Sequence, residues 1–301
     1  MIMGFIVSIL RQIYRILWGS YLIFRNQPTF KMKMVFLLTF ARIETKRLIV
    51  KIFPFHLTRE RFLKYQVSFP SYEAFSNLFF EIFALAEYAF DGPDDSLIID
   101  CGANIGMSVM YFKRIRPNST IIAFEPDDKA YEYLSRNIET NGLTDVRLNK
   151  TAVFDRDGEI TWYSALYDTP SSLLEMSVFQ SSLGEQKLKS TTVACARLSS
   201  FIDRTVNLLK IDVQGAETKV LEDLKKTGKL DLVNDMIIEF HFDSINNPLG
   251  RLISILEESG FYVSIHAFHQ LKLPPYYKTR GVPYFFVIFA SRIKGEKAPT
   301  K

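Results

Sequence analysis

Only two cysteines, Cys101 and Cys195, occur in the 301 residues. So few exclude a disulfide framework, and they lack metal-ligand spacing, so each is expected to be a small buried hydrophobe in a reducing, cytoplasmic compartment. An excess of one charge is also missing. The 37 basic residues stand against 33 acidic ones, a formal net charge of +4, which excludes a strong nucleic-acid field. A long uncharged hydrophobic run is absent as well. The most apolar stretch, "MIMGFIVSILRQIYRILWGSYLIF", carries Arg11 and Arg15 in its middle and has no small-residue cleavage site after a compact apolar core. These features disfavour a membrane span and a cleaved secretory signal. Disorder is excluded for most of the chain by its 48% hydrophobic content, which is enough to bury a full core.

What is present divides into two parts. Residues 1–90 read as a largely helical, apolar and basic region, in which Ser8, Gln12, Arg15 and Gly19 recur at helical spacing and form one weakly polar side. "FKMKMVFLLTFARIETKRLIVKIF" mixes basic and apolar residues in the same way. Two readings remain open: residues 1–50 touch a membrane interface peripherally, or they pack on the rest of the protein or on a second subunit.

Residues 91–293 are regular. Short runs ("LIID", "TIIAFEP", "VRLNKTAVF", "NLLKIDV", "DMIIEFH", "FYVSIHAF", "YFFVIFA") read as strands, and amphipathic patterns predict helices over 106–116, 128–140, 216–227 and 248–259. That alternation predicts an α/β fold with a mostly parallel sheet covered on both faces, and ligands there bind where strands end. Residues 164–190, rich in serine, read as an insertion that forms either a lid or acceptor loop or a surface excursion. Residues 294–301 read as a basic tail.

The stretch "LIIDCGANIGMSVMYF" passes from a buried strand through an acid and two glycines into a helix. Asp100 ends the strand, Gly102 and Gly106 free the turn from Cβ clashes, and the helix start presents N–H groups to the cleft. Asn104 stands where a dinucleotide fingerprint has its close-approach glycine, and no Lys-Ser/Thr of a phosphate loop follows. A carboxylate at position 100 repels pyrophosphate but attracts an ammonium or sulfonium, and S-adenosylmethionine carries both. Glu125 ends the next strand, 19 residues after Gly106, where it is placed to accept hydrogen bonds from a ribose diol. Glu239 and His241 close a later strand two residues apart, so they point to one side of it.

"IIDCGANIG", "IIAFEPDD", "CARLSSFI", "LLKIDVQGAETKVLEDL" and "IIEFH", in that order, resemble the FkbM family of class I S-adenosylmethionine-dependent methyltransferases over roughly residues 95 to 290. The resemblance implies a doubly wound, mostly parallel Rossmann-like sheet with an antiparallel last strand. It implies O-methylation of a hydroxyl on a sugar, glycolipid or secondary metabolite. Carried onto this chain, it places Asp100, Gly102, Asn104 and Gly106 around the methionine end of the cofactor, Glu125 at its ribose, and Ala152 and Val153 at its adenine. Asp212, in "IDVQGAE", would hold the cofactor's amino group or orient the acceptor. Glu217, at the start of a helix, reads evenly as a functional residue or as no more than a favourable charge on its helix dipole. His241 is expected to be the general base, titrating near about 6.5 if unshifted, with Glu239 or Asp212 orienting it or the acceptor.

A nicotinamide dehydrogenase is the competing enzyme reading, since it explains Glu125, but it explains neither Asp100 nor Asn104. A degenerate methyltransferase fold acting as a membrane scaffold is the non-enzyme alternative. No nucleic-acid partner is expected, because "DVQG" stands where an exocyclic-amine methyltransferase has [N/D]-P-P-[Y/F]. The partner is expected to be a small-molecule or glycan acceptor. No metal is expected, since no His/carboxylate cluster of ligand spacing is visible along the chain.

Overall fold

A computed structural model describes residues 2–53, 56–165, 176–177, 188–241, 246–266 and 285–292. The chain begins with a helical hairpin, α1 (Ile2–Asn26) and α2 (Phe30–Ile52). Pro28 lies between them, where its missing N–H costs no helical bond, and Thr29 caps α2 by accepting the Met32 N–H at 3.2 Å. The helices meet at Gly19, where a Cβ would come within 2.5 Å of the Phe40 ring and 2.8 Å of the Phe80 ring. No described helix is long and apolar enough to cross a membrane.

The region to residue 90 is largely helical, as its pattern predicts, with one feature the pattern does not show. A two-stranded antiparallel hairpin, β1 (Arg59–Phe62) and β2 (Tyr65–Ser68), interrupts it. Its turn places Leu63 at φ 49°, a conformation that no glycine advertises in the sequence. The helix α3 (Tyr72–Leu78) follows, capped by Ser71, and runs into a π-helical turn, Phe79–Ala84.

The chain then alternates as its pattern predicts: β3 (Leu97–Cys101), α4 (Met107–Ile115), β4 (Thr120–Phe124), α5 (Asp128–Thr140) and β5 (Val146–Asn149). Next come four shorter or irregularly spaced strands, β6 (Ala152–Phe154), β7 (Gly158–Ala165), β8 (Met176–Ser177) and β9 (Leu188–Arg197). The chain ends with β10 (Val206–Ile211), α6 (Glu217–Lys226), β11 (Val233–His241), α7 (Leu249–Glu258), β12 (Tyr262–His266) and β13 (Phe285–Ser291). The central sheet has the order β12-β13-β11-β10-β3-β4-β5. Strands β11, β10, β3, β4 and β5 are mutually parallel, and β13 runs antiparallel to both β11 and β12.

All five residues of β3 are buried, as a strand covered on both faces requires. Ile99 and Cys101 pack with Leu221 and Leu256 on one face, while Ile98 packs with Phe79, Phe83 and Phe112 on the other. The chain leaves β3 in one direction for β4 and β5, then returns on the other side of β3 as β10. The carboxyl ends of β3 and β10 therefore border a crevice.

A second, four-stranded sheet of order β6-β9-β7-β8 was not foreseen. "VRLNKTAVF" reads as one strand but breaks at Lys150–Thr151, and its halves β5 and β6 join different sheets. The ends of the 164–190 insertion belong to the antiparallel pair β7 and β9, with Ala165 opposite Leu188. Its residues 166–175 and 178–187, and the tail at 294–301, lie outside the described residues.

Candidate functional site

Gly102 makes the crevice narrow at its floor. Its φ is +84°, and a Cβ there would sit 2.0 Å from the Asp212 carbonyl oxygen, so only glycine lets the loops after β3 and β10 approach so closely. The N–H groups of Gly102 and Ala103 both donate to the Phe124 carbonyl at 2.9 Å, which ties this loop to β4. Asn104, at φ 48°, donates its N–H to Glu125 Oε2 at 2.9 Å, and Asp127 donates its N–H to Oε1 at 2.9 Å. Both carboxylate oxygens are thereby fixed. Burial pushes the Glu125 pKa up to about 8 despite those two bonds.

A cavity opens from this floor. Gly102, Asn104, Glu125, Ala152, Val153 and Asp212 all line it, together with Phe124, Pro126, Thr151, Trp162, Val213 and Gln214. Gly106 stands behind it, at the left-handed N-cap of α4, where a Cβ would meet Leu134 at 2.9 Å. Trp162, contributed by the second sheet, had no signal in the sequence, because nothing in "EITWYS" links it to a site.

Asp100 also stands behind the wall, fully buried, and the cation it meets is not a ligand. Ser108 Oγ donates to its Oδ2 at 2.5 Å, and Lys210 Nζ lies 3.3 Å from its Oδ1. Lys210 sits opposite Asp100 in the β10–β3 register, donates to the Gly102 carbonyl at 2.6 Å, and approaches Asp212 Oδ2 at 3.4 Å. Burial works to lower the Lys210 pKa, but the charges of Asp100, Asp212 and Glu239 outweigh it, so the ammonium stays charged. Asp100 therefore already has a cationic partner across the strands, which no chain-local spacing reveals.

Beyond Asp212 the ends of β10 and β11 bring a second group together. Ligating atoms of Asp212, Glu239 and His241 all lie within 4.8 Å of one another. This corrects the expectation that no cluster of ligand spacing forms, since parallel pairing closes the gap that the sequence leaves. His241 Nε2 is 3.7 Å from Glu239 Oε1, and its Nδ1 is 3.0 Å from Glu217 Oε1. Glu217, fully buried in the first turn of α6, also accepts the Gly215 N–H at 3.0 Å and an Asn247 amide hydrogen bond. Gln214 Nε2 donates to Asp212 Oδ1 at 2.7 Å.

The histidine does not titrate near its ordinary value. Burial acts to lower its pKa, but the hydrogen bond to Glu217 and the charges of Glu217, Glu239 and Asp212 prevail and push it up to about 9. Burial, reinforced by the Asp212 charge, holds Glu239 above the usual carboxylate range.

The segment "LFFEIFALAEYAF", residues 78–90, adds carboxylates to the same neighbourhood. Burial, together with the charges of Glu239, Glu81 and Asp212, raises the Glu87 pKa, and burial brings Glu81 to about 7. The Tyr88 ring lies 5.5 Å from Lys210 Nζ. Two acids in an otherwise apolar run are the available signal, but they lie outside the stretch of the five motifs.

A doubly wound sheet with this crevice at its switch point is an architecture that Rossmann-like enzymes share. Residues 100–263, more than half of the chain, match the model for the methyltransferase FkbM domain, and the chain belongs to that family. Methyltransferase 1 of Beauveria bassiana (strain ARSEF 2860) is 34% identical over 189 residues, spanning 58% of this chain and 75% of that protein. The 31-O-demethyl-FK506 methyltransferase FkbM of Streptomyces tacrolimicus is 25% identical over 203 residues, 57% of this chain and 74% of that one. The crystal structure of a methyltransferase FkbM from Methylobacillus flagellatus KT compares at TM-score 0.44 and 12% identity, covering 94% of this chain and 60% of that chain.

Proposed function

We propose that this methyltransferase uses S-adenosylmethionine to methylate a hydroxyl oxygen of a sugar, glycolipid or secondary metabolite. The observation that carries the cofactor reading is Glu125: a carboxylate with both oxygens fixed by backbone N–H groups, at the edge of a cavity walled by Phe124, Ala152, Val153 and Trp162. Such a carboxylate suits a ribose diol, and such walls suit a flat base. Gly102, Asn104 and Asp212 would then meet the methionine part, with Asp212 attracting its ammonium. When bound, the cofactor supplies an electrophilic methyl group on a sulfonium.

His241 is the base in this reading, and Glu217 is its positioning residue. An alcohol attacks well only once its proton is drawn away, and Nε2 of His241 faces the cluster while Nδ1 donates to Glu217. His241 would take the acceptor hydroxyl's proton at Nε2 as the oxygen receives the methyl group that the cofactor would supply. Glu239 stabilises the imidazolium that results. The relative named as a 31-O-demethyl-FK506 methyltransferase supports oxygen as the acceptor atom. Incubation with methyl-labelled S-adenosylmethionine and a panel of hydroxylated sugars, glycolipids and polyketides tests this. Label recovered as a methyl ether is expected, and label on nitrogen or carbon would contradict it.

A further inference from the structure

Fourteen of the seventeen exposed large hydrophobic side chains among the described residues lie on α1, α2 and the following Phe53, so exposure of this kind is concentrated on one element. On α1 they are Ile13, Tyr14, Leu17, Trp18, Tyr21 and Phe24. At roughly 100° per residue these positions fill one arc of about 140°, opposite buried Gly19 and Ile23. Helix α2 repeats the arrangement: Phe30, Met34, Val35, Leu38, Leu48, Ile49 and Ile52 are exposed, opposite buried Phe36, Phe40 and Ile43. Each helix thus has two apolar faces, of which the protein covers one. Leu17 is 66% exposed and Phe30 72%.

The charge on this hairpin is one-sided. Residues 1–53 hold nine basic residues and one acid, Glu44. Glu44 is buried and pairs with Arg15 and Arg47, while Arg42 and Lys46 pair with Glu60. Arg25, Lys31 and Lys51 are exposed, and Lys33 lies 4.2 Å over the Phe24 ring. Tyr14, Trp18 and Tyr21 stack in sequence, at 6.3 and 5.5 Å between ring centroids.

We propose that the exposed face of α1 and α2 docks the enzyme on an anionic lipid bilayer, lying in the interface without crossing it. Aromatic and aliphatic side chains would enter the headgroup boundary while lysines and arginines meet lipid phosphates. A second copy of the chain is disfavoured as the occupant, because it would bring the like charges of Arg25, Lys31 and Lys51 together while the hairpin's one acid, Glu44, is buried in its own ion pairs. A protein interface is disfavoured because its core is depleted in lysine, whereas lysines accompany this face. The hairpin is fixed to the catalytic half, since Arg15 donates to the Ser76 carbonyl at 2.9 Å and Asn26 to the Leu85 carbonyl at 2.8 Å. Docking therefore holds the enzyme, not a loose appendage, at the surface.

Flotation of the full chain with phosphatidylcholine vesicles, with and without phosphatidylglycerol, tests the proposal. Binding is expected with phosphatidylglycerol and to weaken with added salt, with Trp18 emission quenched by brominated acyl chains. Each of Lys31→Gln and Lys51→Gln should lower the partition coefficient about fivefold, which corresponds to about 1 kcal/mol per surface charge. Leu17→Asp with Leu38→Asp, at positions already exposed, should abolish binding while S-adenosylmethionine affinity is kept. Failure to float with phosphatidylglycerol vesicles overturns the proposal. A dimer in light scattering that Leu17→Asp dissolves, without vesicle binding, would assign the face to a second copy instead.

Discussion

Nδ1 of His241 lies 3.0 Å from Oε1 of Glu217, a carboxylate with no solvent exposure that also accepts the Gly215 N–H. The pair fixes the imidazole's tautomer and direction, and it makes the ring a stronger base than an isolated histidine.

Because the base must be deprotonated to act, and the pair holds the imidazole pKa at about 9, kcat/KM should rise about tenfold per pH unit from near neutrality and level off near pH 9. His241→Ala should lower turnover by about 10²- to 10⁴-fold with little change in cofactor affinity. Glu217→Gln removes the charge that raises the pKa, so the profile should move toward acid. A wild-type profile that levels off near about 6.5 would contradict the pairing.

Lys210 and Asp100 form a buried pair at 3.3 Å, and removing one partner strands the other. Lys210→Met should cost about 3–5 kcal/mol of stability, measured by urea unfolding, and Asp100→Asn in the same chain should restore part of it. A loss below about 1 kcal/mol would show that the ammonium is not compensating Asp100.

The elements that sequence reasoning found are those whose periodicity is local. Helix α5 matches its predicted bounds because Ala130, Leu134, Asn137 and Ile138 recur at helical spacing on its buried side. Glu125, Ala152 and Val153 meet at one cavity because strand ends in such a sheet converge. Lys210 escaped because it is opposite Asp100 only through pairing of β10 with β3. The break between β5 and β6 escaped because Asn149, Lys150 and Thr151 include neither glycine nor proline. The raised pKa of His241 depends on Glu217, which arrives from another element and whose place at the start of a helix equally suits a helix-dipole charge.

Buried carboxylates make stability fall as pH rises. Burial holds Glu81 at about 7 and Glu125 at about 8, with Glu87 and Glu239 also raised, against an ordinary value of 4.5. In this window the folded state keeps protons that the unfolded chain has released. Their contribution is fully present below about 4.5 and is lost as pH passes the folded values. The melting temperature should therefore be higher near about pH 5.5 than near about pH 8.5, and the reverse order would contradict these environments.

The cluster of Asp212, Glu239 and His241 has ligand spacing, but two cations already serve it: Lys210 at 3.4 Å from Asp212, and the imidazolium of His241 itself. Methyl transfer is accordingly expected to survive EDTA and to gain nothing from added Mg²⁺. Loss of activity on chelation, restored by a divalent ion, would make the three residues metal ligands.

The central claim is that the cavity between Gly102, Glu125 and Asp212 holds S-adenosylmethionine, and isothermal titration calorimetry measures it most directly. The expected result, read above about pH 8 where Glu125 is ionised, is one site per chain for S-adenosylmethionine and for S-adenosylhomocysteine, no binding of NAD, and a loss of about 1.5–3 kcal/mol in Glu125→Gln, as for a hydrogen bond to a charged group. Tight binding of NAD, or S-adenosylmethionine binding indifferent to Glu125→Gln, would contradict it.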